Sequence, residues 1–327
     1  MEKYNMNCIT VNQISDLKSF YSKKIGIACG IFDGVHLGHQ KIVKKLTNYC
    51  KKNNFEPIVL TMFPHPRSIL THQKSPLMLT SLEHKIEILQ KLGINAVVVL
   101  PFSQKMADLS PEDFLKKHLM TDDEKISAIC VGSNWRFGKN GKGNIETLKT
   151  ISKHHNFDVL PVSELMLEGK KVSSTIIRKK IVTGELSVAN KMLGRPFSVI
   201  GQVISGKHIA TSVLNCPTAN ILGTNEIFPP RGVYAGNAFL NKQSQNETNK
   251  YPGIIYVGDV PTFSDPQHPP IFRLEIHFFD FNQNIYGKEI EVEFIKYIRP
   301  EMKFADSAKL KKQIQSDISE AKRLLKL

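Results

Sequence analysis
The sequence predicts two consecutive domains, an α/β domain built on a parallel sheet and then an antiparallel β-barrel or sandwich that ends in a helix. Three observations carry this. The chain has 327 residues, enough for about two domains. Its first half alternates continuous apolar runs with amphipathic stretches, the pattern of strands buried on both faces beneath helices. Beyond residue 195 the pattern changes to successive strand-like segments divided by turn signals.

The elements follow in order. "KIGIACGIF" (24–32) is an apolar strand, and "HQKIVKKLTNYCKKN" sets Ile42, Val43, Leu46, Tyr49 and Cys50 at helical spacing. "PIVLTMF" is a second strand. "TSLEHKIEILQKLG" is a helix with Thr80 and Glu83 placed as a capping box and Gly93 at its stop. "NAVVVLPF" is a third strand, and "SPEDFLKKHLM" a helix capped by Ser110 with Pro111 in its first position. "ISAICVG" is a fourth strand, "IETLKTISKHH" and "FDVLPVSEL" add a helix and a strand, and "SSTIIRKKIVTG" is a helix running to Gly184. In the second half "GRPFSVIGQVISG", "GVYAGNAFL", "YPGIIYVG", "FRLEIHFFDF" and "KEIEVEFIKYI" read as strands, with "DFNQNIYG" as a hairpin turn between the last two. The final helix carries Leu310, Ile314, Ile318, Ala321 and Leu325 on one face. The domains are expected at 1–185 and 186–327, with the short helix "SVANKML" as the linker.

Composition narrows the function. No run approaches the ~20 apolar residues of a membrane span, and the first residues lack the basic and apolar regions of a signal peptide, so a cytoplasmic protein is expected. Five cysteines stand without CxxC or paired spacing and read as reduced core residues. The net charge of +14 admits nucleic acid, a membrane surface or anionic small substrates. The lysines are spread along the whole chain, and no helix-turn-helix, RRM or zinc pattern is present, which argues against nucleic acid.

"IFDGVHLGHQ" (31–40) carries the chemistry. It falls where the first strand hands over to the first helix, where Gly34 and Gly38 let backbone approach a ligand and His39 stands at the helix start. A helix N-terminus with free amides is an anion site, and two histidines three apart can both donate to a phosphate whose charge builds during transfer. A metal pair lacks a third ligand nearby in sequence, and two chance surface histidines leave both glycines unexplained.

"GIFDGVHLGHQ" also resembles the signature of the prokaryotic bifunctional riboflavin kinase/FAD synthetases. "TMFPHP", "LTSLEHKIEILQKLG", "VGSNWRFGKNGKGN", "SSTIIR", "LGRPF", "PTAN", "GVY", "LEIHFFDF", "YGKEIEVEF" and "IRPEMKF" match in the same order over nearly the whole chain. The resemblance implies a Rossmann-like nucleotidyltransferase domain that transfers AMP from ATP to FMN, giving FAD and pyrophosphate. It implies a six-stranded barrel that phosphorylates riboflavin to FMN. Gly30, Phe32, Asp33, Gly34 and Gly38 would line the ATP site, His36 and His39 would hold the phosphates, and Ser174, Thr175 and Arg178 would bind the β/γ end. Asn134 would contact nucleotide or flavin. In the barrel, Thr218 and Asn220 would hold Mg²⁺ with ATP, Glu275 would take the proton of the riboflavin 5′-hydroxyl, and Arg299, Glu301 and Phe304 would pack over the flavin.

Plainer readings exist: Arg178 as a solvated helix residue, Ser174 as a cap, Thr218 and Asn220 as turn formers, Glu275 as an exposed strand residue. The chain also departs from relatives. "KHIATSVLNC" before "PTAN" replaces a glycine-rich run roughly Gly-Arg-x-Leu-Gly-Phe, and Phe63 replaces a common Asp. The alternatives are therefore an FAD synthetase with a weakened or lost kinase half, a regulatory flavin-binding module, and a basic nucleic-acid-binding protein. Small-molecule nucleotides and flavins are the expected partners, without nucleic acid or membrane, and a homo-oligomer is left open.

Overall fold
The computed structural model describes residues 8–20, 22–70, 76–120, 126–204, 218–223, 227–240, 249–259, 272–281 and 283–327. Contacts divide the chain into two units, one of residues up to Ser173 without Met78–Ser81, the other of Met78–Ser81 with Ser174–Leu327.

The first unit alternates as its sequence demands. In chain order it holds β1 (Ile9–Val11), β2 (Ile25–Cys29), α1 (Leu37–Asn53), β3 (Glu56–Phe63), α2 (Pro66–Leu70), α3 (Leu82–Lys91), β4 (Ala96–Pro101), α4 (Gln104–Ala107), α5 (Pro111–His118), β5 (Ile126–Gly132), α6 (Ile145–His155), β6 (Asp158–Val162) and a two-residue hairpin of β7 (Met166–Leu167) with β8 (Lys170–Lys171). The main sheet runs β1-β4-β3-β2-β5-β6, every pair parallel. β2 is buried along its whole length because it has a core on each side. Ile27, Ile58, Val98 and Ile129 face one core with Phe114 and Leu148 of α5 and α6. Ala28, Val59, Val97 and Cys130 face the other with Val43, Leu46 and Leu89 of α1 and α3. Local caps agree with the sequence at α5, where Ser110 Oγ accepts from the Asp113 N–H at 3.0 Å and Pro111 begins the helix. α3 starts at Leu82, so Ser81 rather than Thr80 precedes it, and α7 likewise begins at Ser174 itself. Such shifts of one residue are where local capping signals are least exact.

The second unit contains α7 (Ser174–Val182), α8 (Leu186–Leu193), β9 (Phe197–Ile204), β10 (Ala219–Gly223), β11 (Gly232–Leu240), β12 (Asn249–Asp259), β13 (Phe272–Phe278), β14 (Glu289–Arg299) and α9 (Ser307–Leu325). Its six strands close into an antiparallel barrel in the order β10-β13-β12-β11-β14-β9. Two expectations are corrected here. "DFNQNIYG", whose Asn282 lies outside the described residues, is no hairpin turn, because β13 pairs with β10 and β12 while β14 pairs with β11 and β9. The Gly287 N–H instead donates to Val203 O at 2.9 Å, and Ile285 is buried, so the connection runs to the far strand. "SVANKML" is no linker either. Leu186, Ala189, Met192 and Leu193 of α8 are buried, and Asn190 accepts from the Phe197 N–H at 2.7 Å and donates to Phe294 O at 3.2 Å. α9 packs through Ile318, Ala321, Leu324 and Leu325 on Ala235 and Phe279.

Candidate active sites
The strand order of the first unit reverses direction between β2 and β5, and ligands of parallel sheets collect outside the carboxyl ends at such a point. Both ends carry predicted residues. β2 leads into 30–40, and β5 into Asn134, which is exposed beside Trp135 and Phe137, whose rings stack at 4.5 Å.

Between β2 and α1 the backbone makes a tight turn in which Phe32 (φ 54°), Gly34 (φ 76°) and Val35 (φ 38°) are left-handed. Only glycine takes that conformation cheaply; Phe32 and Val35 tolerate it because both rings or branches are fully buried and the turn is bonded from outside. The Gly30 N–H donates to Leu60 O at 3.0 Å, Thr61 Oγ1 donates to Ile31 O at 3.0 Å, and Gln40 Nε2 donates to Val35 O at 2.9 Å.

The turn delivers His36 as the cap of α1. Its Nδ1 accepts from the His39 N–H at 3.3 Å, which leaves its proton on Nε2. Gly38 makes room for this: a Cβ there would stand 3.1 Å from both Cε1 and Nδ1 of His36. The His36 and His39 rings stack with centroids 3.6 Å apart, and Phe32 tilts against His39 at 5.2 Å. His39 Nδ1 is buried and has no hydrogen-bond partner. Burial, then His36 and Lys85, hold the His39 imidazole well below the usual histidine range. A stacked pair of histidines at a helix N-terminus, one with an unmet buried nitrogen, is suited to an anion that would meet that nitrogen and favour the imidazolium. Asp33 is buried beside them.

Lys85 went unnoticed in the sequence. It stands on α3, 1% exposed, and Asp33 and Glu83 oppose its charge. The signal was present, since Leu82, Ile86 and Leu89 form the apolar stripe at i, i+4 and i+7, and Lys85 occupies i+3 of that stripe.

Of the remaining predicted residues, Ser174, Thr175 and Arg178 lie together on the first turns of α7, which belongs to the second unit. In the barrel, apolar Ala219, Ile221, Leu274, Ile276, Ile255 and Val257 fill the interior, and the alternate residues point outward. Register sets Asn220 directly across from Glu275, and Glu275 directly across from Tyr256, so one row crosses β10, β13 and β12 on the outer wall. Thr218 precedes it, half-buried. The Tyr256 hydroxyl donates to Glu301, and Tyr256 lies over the bare backbone of Gly258, where a Cβ would collide with its ring. Arg299 is taken up by protein groups. Its Nε and Nη2 donate to the Asp317 carboxylate of α9 at 2.8–3.0 Å, its Nη1 donates to Pro300 O at 2.9 Å, and its guanidinium sits 5.8 Å over the Phe304 ring. "KHIATSVLNC" lies outside the described residues.

Comparison with known proteins follows this division. A family model described as FAD synthetase matches residues 19–176, and one described as riboflavin kinase matches 193–325. A bifunctional riboflavin kinase/FMN adenylyltransferase from Buchnera aphidicola of Schizaphis graminum is 39% identical over 97% of this chain and 99% of its own. One from Bacillus subtilis is 35% identical over 90% of each. Among solved structures, one described as a macrolide-efflux protein from Streptococcus pneumoniae superposes with a TM-score of 0.80 at 26% identity, over 97% of this chain and 99% of its own. Among the described residues, no helix is long and apolar enough to cross a membrane.

Proposed function
The chain belongs to the bifunctional riboflavin kinase/FMN adenylyltransferase family, and from that premise we propose how its residues divide two reactions. The enzyme phosphorylates riboflavin to FMN and adenylylates FMN to FAD, both with ATP. The kinase family model spans the altered stretch before "PTAN", which favours both activities over a synthetase alone.

For FAD formation, the observation that carries the reading is the turn at 30–40. There the Nε2–H of His36, the unmet Nδ1 of His39 and the N-terminus of α1 stand at the switch point of the sheet. They hold the polyphosphate while the FMN phosphate attacks the α-phosphorus in line and pyrophosphate departs. Gly30, Phe32, Asp33, Gly34 and Gly38 shape the turn, and Ser174, Thr175 and Arg178 receive the β/γ end. Asn134 meets nucleotide or flavin. No covalent intermediate is needed; catalysis is positioning and charge neutralisation.

For FMN formation, Glu275 accepts the 5′-hydroxyl proton of riboflavin as that oxygen attacks the γ-phosphorus. Thr218 and Asn220 are oxygen donors beside a carboxylate, a set that fits Mg²⁺, and they would hold it with ATP. When bound, the ion neutralises phosphate charge. Glu301 and Phe304 border the flavin, and Arg299 acts through them by fixing their segment to α9. The setting is the cytoplasm.

Separation of flavin products tests this, with protein incubated with Mg²⁺ and ATP and either riboflavin or FMN. FAD is expected from both. FAD from FMN alone would remove the kinase assignment, and no product from either would remove both.

A further inference from the structure
Burying a charge is costly, so a lysine that is 1% exposed requires a reason. Lys85 lies on the inner stripe of α3, and α3 packs on the turn Asp33–Val35. Asp33, 2% exposed on that turn, acts on its charge, and Glu83 from α3 adds to the same field. Burial pulls the Lys85 pKa down to about 8 against both carboxylates, which still leaves a cation at neutral pH. The same cation acts on His39, together with His36. Asp33, His36, His39 and Lys85 thus form one cluster joining the turn, the start of α1 and α3. An apolar side chain would fill the position at lower cost. The turn has need of a clamp, because the left-handed Phe32, Gly34 and Val35 persist only where their surroundings over-determine them.

We propose that Lys85 is a positioning residue for adenylyl transfer, its ammonium gripping the Asp33 carboxylate so that the turn aims His36 and His39 at the ATP phosphates. The inference rests on the assignment of ATP to that turn.

The test is Lys85→Met in the full chain, with FAD formation from FMN, FMN formation from riboflavin, and titration of the His39 ring by NMR. In the variant, kcat for FAD formation is expected to fall about tenfold or more, the scale of a displaced reacting group. FMN formation is unchanged. The His39 resonance, and the limb of the pH–rate profile that follows it, move to higher pH once the neighbouring cation is gone; a defect of packing alone would not move them. A kcat within about twofold of the parent, at a site this sensitive to placement, overturns the proposal. If the variant does not fold, Lys85→Gln, which keeps a polar chain but not the charge, takes its place. FAD formation that stays low beside intact FMN formation then supports the clamp, and a full rate overturns it. If the parent itself makes no FAD from FMN, the assignment of ATP fails instead. The His39 titration then decides the Lys85 contact alone, and an unmoved resonance overturns it.

Discussion

Gly38→Ala separates the chemistry of the turn from its stability. The new Cβ would stand 3.1 Å from Cε1 and Nδ1 of His36, against about 3.5–4.0 Å for comfortable contact, so the ring must retreat by roughly half an ångström. Its cap on the His39 N–H is already 3.3 Å long and does not survive that. Losing such a cap costs about 1 kcal/mol, and replacing a helical glycine with alanine contributes about 1 kcal/mol in return. Stability should therefore stay within about 1 kcal/mol of the parent. Catalysis has no such offset, and a displacement on the ångström scale costs up to about a hundredfold, so FAD formation from FMN should fall roughly ten- to hundredfold. Urea unfolding and the two product assays on one preparation check this, with FMN formation as the internal control. FAD formation within about twofold of the parent, with the protein folded, would refute the argument that Gly38 exists to seat the His36 ring.

Three further outcomes are expected. Asp317→Ala strips the nearly buried Arg299 of its carboxylate and should destabilise the barrel unit by about 3–5 kcal/mol in urea unfolding; a loss under about 1 kcal/mol would make the pair no better than a surface ion pair. Glu275→Gln keeps shape but not basicity, so FMN formation should drop at least about a hundredfold while FAD formation from FMN holds; equal losses in both would contradict separate sites. The third concerns protons. Because folding depresses the His39 pKa, the unfolded chain binds more protons just below pH about 6.5, and stability contributed by the neutral ring falls as pH drops through that window toward the folded value. ATP should reverse this by favouring the imidazolium. Calorimetry near pH 6 in buffers of different ionisation enthalpy should show proton uptake on ATP binding that His39→Asn removes, and equal uptake by that variant would detach His39 from the phosphates.

Much of the fold was readable because local rules and tertiary packing agree. The continuous apolar run of β2 and the Ser110–Pro111 start of α5 leave few alternatives. Pairing was less readable. Alternation in β13 and β14 shows that each has an inner face but says nothing about its neighbour, and the barrel closes by carrying β14 to β9 and β11. β1 and β10 escaped because one has three residues and the other begins inside "PTAN", whose polar residues also suit a turn. At the site, the histidine–glycine pattern announced itself, while Lys85 hid in a helix where a charged residue ordinarily faces water. Arg299 was identified as a residue of consequence, but only coordinates connect it to Asp317, 18 positions away.

The cysteines give the first unit an internal clock. Cys8, Cys29, Cys50 and Cys130 are free and buried; burial raises the Cys8 thiol to about 11 and those of Cys50 and Cys130 to about 12, and pushes Cys29 up as well. Alkylation requires thiolate and access, so in the closed molecule these groups stay silent. In a Cys216→Ser background, their labelling by a small alkylating reagent would time the opening of the parallel-sheet core. Slowing of that label by ATP, set against its slowing by riboflavin, would report which substrate the sheet holds shut.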